Sequence, residues 1–365
     1  MSELNTGTTA FATPPQAPPG RPRPFNAARA QALISGLLLL IIGGTCLGVD
    51  YLSRSSRVAS WLMRSELRKW KQENLQYQHR IYFADFEDRL LLEELPQADY
   101  STGGVYFLGA SNIKVSIMPW LLDDELRRRT GNYGLSAARH SQQFQFLRLL
   151  VEHRGLAAAG DKTLIVLGLY HTTAVAVGDG DNAEYFASLF RRHGLYTYDP
   201  AGGMAPVALS DLERTIRIRK ARCAGFLKAL RTGGTRNSFK PARHNPEAYR
   251  QDRIKYMGPR WKEEMADQVA ELDRMIAYIQ AHNLRVMAVY LPLASWDNSL
   301  PYAAEYKRLT QAICQGRNVP VTDFSDLLAD DKFHDSTHAN YVGQQKLHQA
   351  LLEIVKAHLH AVDGN

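Results

Sequence analysis

The chain has 365 residues, 45% hydrophobic and 22% charged, proportions that exclude a disordered, collagen-like or polytopic membrane protein. At roughly 150 residues per domain this allows two domains, or one α/β domain with additions. Forty-four Lys and Arg against 37 Asp and Glu give a net charge of +7, which favours an anionic partner.

Residues 1–29 contain Pro14, Pro15, Pro18, Pro19, Pro22 and Pro24 with few apolar side chains, which predicts a disordered tail. From Ala30 to Val49 there are 20 consecutive residues without a formal charge. As a helix they span roughly 30 Å, one transmembrane anchor. A cleaved signal peptide is the competing reading; against it, the run exceeds an ordinary signal core and no A-x-A site follows. Arg21, Arg23 and Arg29 precede the span, and Arg54, Arg57, Arg64, Arg68 and Lys69 follow it. Counted naively this opposes export of the C-terminal part, but long domains translocate despite such charge. Residues 50–97, with Trp61 and Trp70 among basic residues, suit a membrane-proximal helical stalk.

Residues 98–365 alternate short apolar runs with amphipathic stretches, the pattern of an α/β layer fold. Strands are expected at Val105–Leu108, Leu164–Leu167, Val286–Leu291 and Val319–Thr322, with a fifth ending at Asn132-Tyr133. Crossover helices are expected at Pro119–Arg129, Arg139–Arg154, Trp261–Ile279, Tyr302–Cys314 and Tyr341–Leu359. About 100 residues separate the third strand from the fourth, where a crossover needs about a dozen, so an insertion is expected at about 178–262. Its residues 211–262 hold fifteen Lys and Arg against four Asp and Glu, so the protein's basicity is local. Ser210 with Glu213 forms a capping box opening a helix that Gly233-Gly234 stops. This stretch is expected on an exposed face toward an anionic polymer or lipid. Nucleic acid is not expected, because the stretch lacks interleaved aromatics or a known binding motif.

The first strand runs into Gly109-Ala110-Ser111-Asn112. Open parallel sheets bind ligands at the carboxyl ends of strands, so Ser111 is a candidate nucleophile; an ordinary helix cap is the bland alternative. In Phe333-His334-Asp335-Ser336-Thr337-His338, Asp335 sits three residues before His338 and can orient its imidazole, leaving the other ring nitrogen to take a serine proton. Gly343 follows where the last helix must pack closely. In Asn132-Tyr133-Gly134-Leu135-Ser136, Gly134 lets a backbone N–H approach an oxyanion; a simple strand-to-helix turn explains it as well.

In this order the three segments resemble the SGNH (GDSL-like) hydrolase superfamily, from about Gly104 to about Leu359 excluding the insertion. Gly109-Ala110-Ser111 is similar to its nucleophile block, with Ala110 for Asp. Asn132 to Ala137 is similar to its N-x-G-x-S-G oxyanion block, with Ala137 for the last Gly, which implies Asn132 and Gly134 as oxyanion or substrate contacts. Asp335 and His338 match its D-x-x-H. The third block falls on Gly168-Leu169-Tyr170-His171 without its oxyanion Asn, so Tyr170 or His171 is a candidate donor or acyl contact; a packed tyrosine is the alternative. The resemblance implies a flavodoxin-like five-stranded parallel sheet with helices on both faces. With the anchor and insertion, the chain looks like envelope acyl-transfer proteins of the D-alanyl transfer (DltD) and exopolysaccharide O-acetylation groups. That implies transfer of an acetyl or D-alanyl group onto or off a cell-envelope polysaccharide, beside a membrane-bound O-acyltransferase. The expected place is the bacterial inner membrane, single-pass, with the domain in the periplasm. The competing function is an inactive scaffold of the same fold that binds an anionic glycan or lipid. No cofactor or metal is expected: the twelve histidines include no H-E-x-x-H, and Cys46, Cys223 and Cys314 have no C-x-x-C spacing. Cys223 and Cys314 are expected as separate packed thiols.

Overall fold

The structure is a computed structural model and describes residues 27–53, 87, 90–97, 99–117, 122, 125–175, 179–199, 203–232, 245–255 and 258–363. Residues 1–26 of the expected tail, most of the stalk including Trp61 and Trp70, and five of the eleven residues of the helix expected at Pro119–Arg129 lie outside them, while residues 27–29 of the expected tail are helical. The chain forms two compact units, Met1–Gly48 and Val49–Asn365. The uncharged run lies in helix α1 (Ala27–Ser53), long and apolar enough over Ala28–Leu52 to cross a membrane.

The second unit runs β1 (Gly104–Gly109), α2 (Ser111–Ser116), β2 (Thr130–Gly134), α3 (His140–His153) and β3 (Thr163–Leu169). An excursion follows: α4 (Asp179–Arg191), the hairpin β4 (Tyr196–Asp199) and β5 (Gly203–Pro206), α5 (Asp211–Thr232) and α6 (Pro246–Lys255). The chain re-enters through α7 (Trp261–Ala281), β6 (Arg285–Tyr290), α8 (Pro301–Gly316), β7 (Val321–Asp323) and α9 (Tyr341–Asp363). Five strands are parallel in the order β2-β1-β3-β6-β7, the expected doubly wound sheet.

Both faces of the sheet are covered. Val105, Phe107, Leu164 and Val166 pack with Ile113 of α2 and Leu347, Leu351 and Val355 of α9. Their neighbours Tyr106, Leu108, Ile165 and Leu167 point the other way, onto Phe146 and Leu150 of α3 and Met265, Leu272 and Ile276 of α7. That two-sided burial explains why the strands read as continuous apolar runs, each buried Leu or Phe contributing about 1.5–3 kcal/mol. The Ser210–Glu213 capping box forms at the start of α5, with Ser210 N–H donating to Glu213 Oε2 at 2.9 Å. Cys223 and Cys314 are not joined in a disulfide, and burial pushes the Cys314 thiol up to about 11.

Candidate active site

Ser111 is the first residue of α2, immediately past the carboxyl end of β1. Ala110, not Ser111, takes the cap position, in extended backbone and without a side-chain cap bond. The serine hydroxyl is therefore not spent on the helix, and its Oγ lies 2.8 Å from His338 Nε2. His338 Nδ1 lies 2.9 Å from Asp335 Oδ2 and 3.1 Å from Oδ1. A carboxylate only accepts, so Nδ1 carries the ring proton and Nε2 offers its lone pair to Ser111.

The loop that carries Asp335 and His338 is fixed from several sides. Asp335 Oδ1 accepts the backbone N–H of Thr337 at 2.8 Å and of His338 at 2.7 Å, which bends the loop so that imidazole and carboxylate meet. His334 N–H donates to His338 O at 2.9 Å, and Phe333 bridges Ala339 across the base. Asn112 Nδ2 reaches Thr337 O at 2.9 Å, tying the loop to the serine's own helix. Trp296 Nε1 donates to Ser336 O at 2.9 Å, and Ser336 Oγ donates to Asp252 Oδ2 of α6 at 2.9 Å. Gly343 lets α9 start against this loop: a Cβ there would stand 2.5 Å from Lys332 O. Burial works to raise Asp335, but the hydrogen bonds from His334 and His338 and the charge of His338 outweigh it and hold the carboxyl well below the usual range.

The residues expected to bind an oxyanion or substrate have other partners. Asn132 is fully buried, and its Nδ2 donates to Ile113 O, Lys114 O and Ile117 O at 3.1, 3.1 and 2.9 Å, closing the carbonyl end of α2. Its Oδ1 accepts the Gly134 N–H at 2.9 Å, so that amide is occupied within the fold. Glycine is needed at 134 for a different reason: a Cβ would lie 2.1 Å from Lys114 N, where α2 crosses β2. Tyr170 and His171 are each only 2% exposed. The Tyr170 hydroxyl donates to Asp297 Oδ2, and His171 Nε2 is 3.5 Å from Asp297 Oδ1. Asp297 is itself 1% exposed, and a buried carboxylate needs a donor such as the Tyr170 hydroxyl. Of the residues singled out in the sequence, the structure brings Ser111, His338 and Asp335 together, and gives Asn132, Gly134, Tyr170 and His171 packing partners instead.

Asn112, Trp296, Asp252 and His334 touch the loop without having been singled out in the sequence. Asn112 and His334 stood next to chosen residues, but spacing does not tell where an amide or ring points. His334, Asp335 and His338 are the cluster of potential metal ligands among the described residues, their ligand atoms within 4.8 Å of one another. Asp335 Oδ2 is already engaged by both rings, at 3.0 Å from His334 Nε2 and 2.9 Å from His338 Nδ1.

No protein-family model matches the chain, and no curated protein matches its sequence. Solved structures do resemble it. A GDSL-like lipase from Bacteroides thetaiotaomicron is 12% identical, covers 75% of this chain and 98% of its own, and superposes with a TM-score of 0.36. A carbohydrate acetylesterase from Sinorhizobium meliloti is 12% identical over 70% of this chain and 99% of its own, with a TM-score of 0.35. Likeness at this level adds nothing to what the sheet order and the contacts establish by themselves.

Proposed function

We propose that the protein is an acyl-serine enzyme of the esterase or acyltransferase class. Ser111 Oγ attacks an acyl carbonyl while its proton passes to His338 Nε2, and Asp335 steadies the imidazolium that forms. Collapse of the tetrahedral adduct breaks the bond to the leaving group, which takes the proton from His338. A hydroxyl or water then gives its proton to His338 as it attacks the acyl-Ser111, and the departing Ser111 Oγ takes that proton back from His338, restoring the free serine. The single observation that carries this reading is the unbroken hydrogen-bond chain Ser111–His338–Asp335 at the carboxyl end of β1.

The expected oxyanion donors Asn132 and Gly134 are spent within the fold, and one such donor is worth roughly a hundredfold in rate. Hydrolysis should therefore be slow, which suits an enzyme that passes an activated acyl group to an acceptor and not to water. With α1 as a membrane anchor, the acceptor is a cell-envelope polymer and the donor is presented by a membrane-bound O-acyltransferase, with the domain outside the cytoplasmic membrane. The α5 helix supports a lipid-facing position: Leu212, Ile216 and Leu227 are 70, 56 and 57% exposed and share the helix with exposed Arg219 and Lys220.

The test is turnover of p-nitrophenyl acetate by the full chain in detergent, with and without a polyol. Slow hydrolysis that the polyol diverts into ester supports transfer. Fast hydrolysis that no acceptor diverts makes the protein an ordinary esterase, and no turnover with the fold intact favours the scaffold.

A further inference from the structure

Asp335 serves two imidazoles. Its Oδ2 lies 2.9 Å from His338 Nδ1 and 3.0 Å from His334 Nε2, and the two rings stack with centroids 5.7 Å apart and planes 28° apart. One carboxylate oxygen has lone pairs for both N–H groups, so the arrangement completes Asp335's hydrogen bonding without moving His338 off Ser111.

We propose that His334 is a titratable positioning residue for His338. While neutral, it donates Nε2–H to Asp335 and holds the carboxylate in line with His338 Nδ1. When it takes a second proton, it becomes an imidazolium stacked on His338 and sharing the same counter-charge, so His338 is less able to accept the serine proton's charge. Activity then depends on two coupled ionisations on the acid side and not one. The inference rests on Ser111, His338 and Asp335 being the catalytic set.

The surroundings favour this coupling. On the loop itself Asp335 and His338 are the ionisable groups against His334. From α2, Ser111 meets His338, and Asn112 donates to the Thr337 carbonyl. From α6, Tyr249 feels the Asp335 charge, which with burial raises its hydroxyl, while Asp252 is held by Ser336. On the turn before the loop, Asp330 is held by Ser295 and Asp331 by Lys332. Asp335 is thus the charge in contact with His334, and its two hydrogen-bonded rings cannot both gain a proton independently. Burial works against the charged His334, but the Asp335 hydrogen bond and charge outweigh it and raise His334 above its ordinary value.

The experiment uses the full chain in detergent and compares the acid limb of p-nitrophenyl acetate turnover in the parent, His334→Gln and His334→Leu. Glutamine keeps a donor at about the Nε2 position and cannot titrate. The expected result for His334→Gln is a maximal rate within about twofold of the parent and an acid limb that falls from a two-proton to a one-proton slope. For His334→Leu, a one-proton limb displaced to higher pH and a lower maximal rate are expected, because Asp335 then serves His338 alone but loses one of its supports. NMR titration of the ring resonances in a Ser111→Ala background reads the same coupling without turnover: two interacting steps that become one in His334→Gln. A His334→Gln limb that superimposes on the parent in slope and midpoint, with uncoupled ring titrations, overturns the proposal and leaves the proposed function standing. Retained turnover in Ser111→Ala overturns both.

Discussion

At the scale of single residues, Asn132 and Gly134 join β2 to α2, and both hold the serine in place indirectly. Replacing Gly134 by Ala sets a Cβ 2.1 Å from Lys114 N, so the helix that starts with Ser111 must move. Gly134→Ala is expected to cost about 3 kcal/mol or more, read as a fall in Tm together with lost turnover. Asn132→Ala removes the side-chain donor from the Ile113, Lys114 and Ile117 carbonyls and the acceptor from the Gly134 N–H, and should destabilise by a few kcal/mol, at about 1–3 kcal/mol per buried group left unpaired. An Asn132→Ala protein that melts with the parent but turns over slowly would return Asn132 to an oxyanion role. Ser111 was legible in the sequence because it follows the end of β1, where an open sheet binds ligands, and Asp335 and His338 because of their three-residue spacing on the loop before α9. Tyr170 and His171 were not, because their partner Asp297 lies more than 100 residues away and nothing in their own segment announces it.

Among the elements, the strands and the helices α3, α7, α8 and α9 were readable because their buried faces repeat at the period of the structure. In the excursion between β3 and β6, α5 was readable from its Ser210–Glu213 capping box and closing glycines, and the rest only as a long basic insertion. Of these α4 buries Phe186, Leu189 and Phe190 at helical spacing, whereas α6 has weak apolar periodicity and folds because of what it docks on. There Tyr249 packs on Trp296 at 4.9 Å, Asp252 accepts from Ser336, and Tyr302 donates to the Arg253 carbonyl at 3.1 Å. The insertion therefore supports the His338 loop from its α6 end. Asp252→Ala should slow serine labelling about tenfold with Tm near that of the parent, and an unchanged rate would reduce α6 to packing. The α5 helix has two faces. Ile218 and Ala221 pack on the core and Arg217 Nη1 donates to Gly194 O at 2.5 Å, while Arg219 and Lys220 are exposed beside Leu212 and Ile216. Charge reversal at Arg219 and Lys220 in the full chain is expected to leave Tm unchanged. In nanodiscs containing anionic lipid it should increase the water accessibility of a probe at Leu212→Cys, with a difference that shrinks at high salt. Equal accessibility in neutral and anionic nanodiscs would contradict a lipid-facing α5.

For the whole molecule, acid stability carries a signature of the buried histidines. His140 is fully buried against Tyr306 and Thr173, and burial pulls it down to about 4. Between about 6.5 and about 4 the unfolded chain binds a proton there that the folded one does not, so stability falls as pH falls through that window, by up to roughly 3 kcal/mol. His334 acts with the opposite sign: raised in the fold, its contribution is present below about 6.5 and fades as pH rises above it. His140→Gln should flatten the dependence of Tm on pH between those limits, and a parent-like slope would place the acid sensitivity elsewhere. The central claim is that the domain is built around Ser111 as a nucleophile, and the direct measurement is fluorophosphonate labelling of the full chain, located by peptide mass spectrometry. The expected result is a label on Ser111, absent in Ser111→Ala and slowed about a hundredfold or more in His338→Ala. A label elsewhere, no label on a folded protein, or equal labelling in His338→Ala would contradict it.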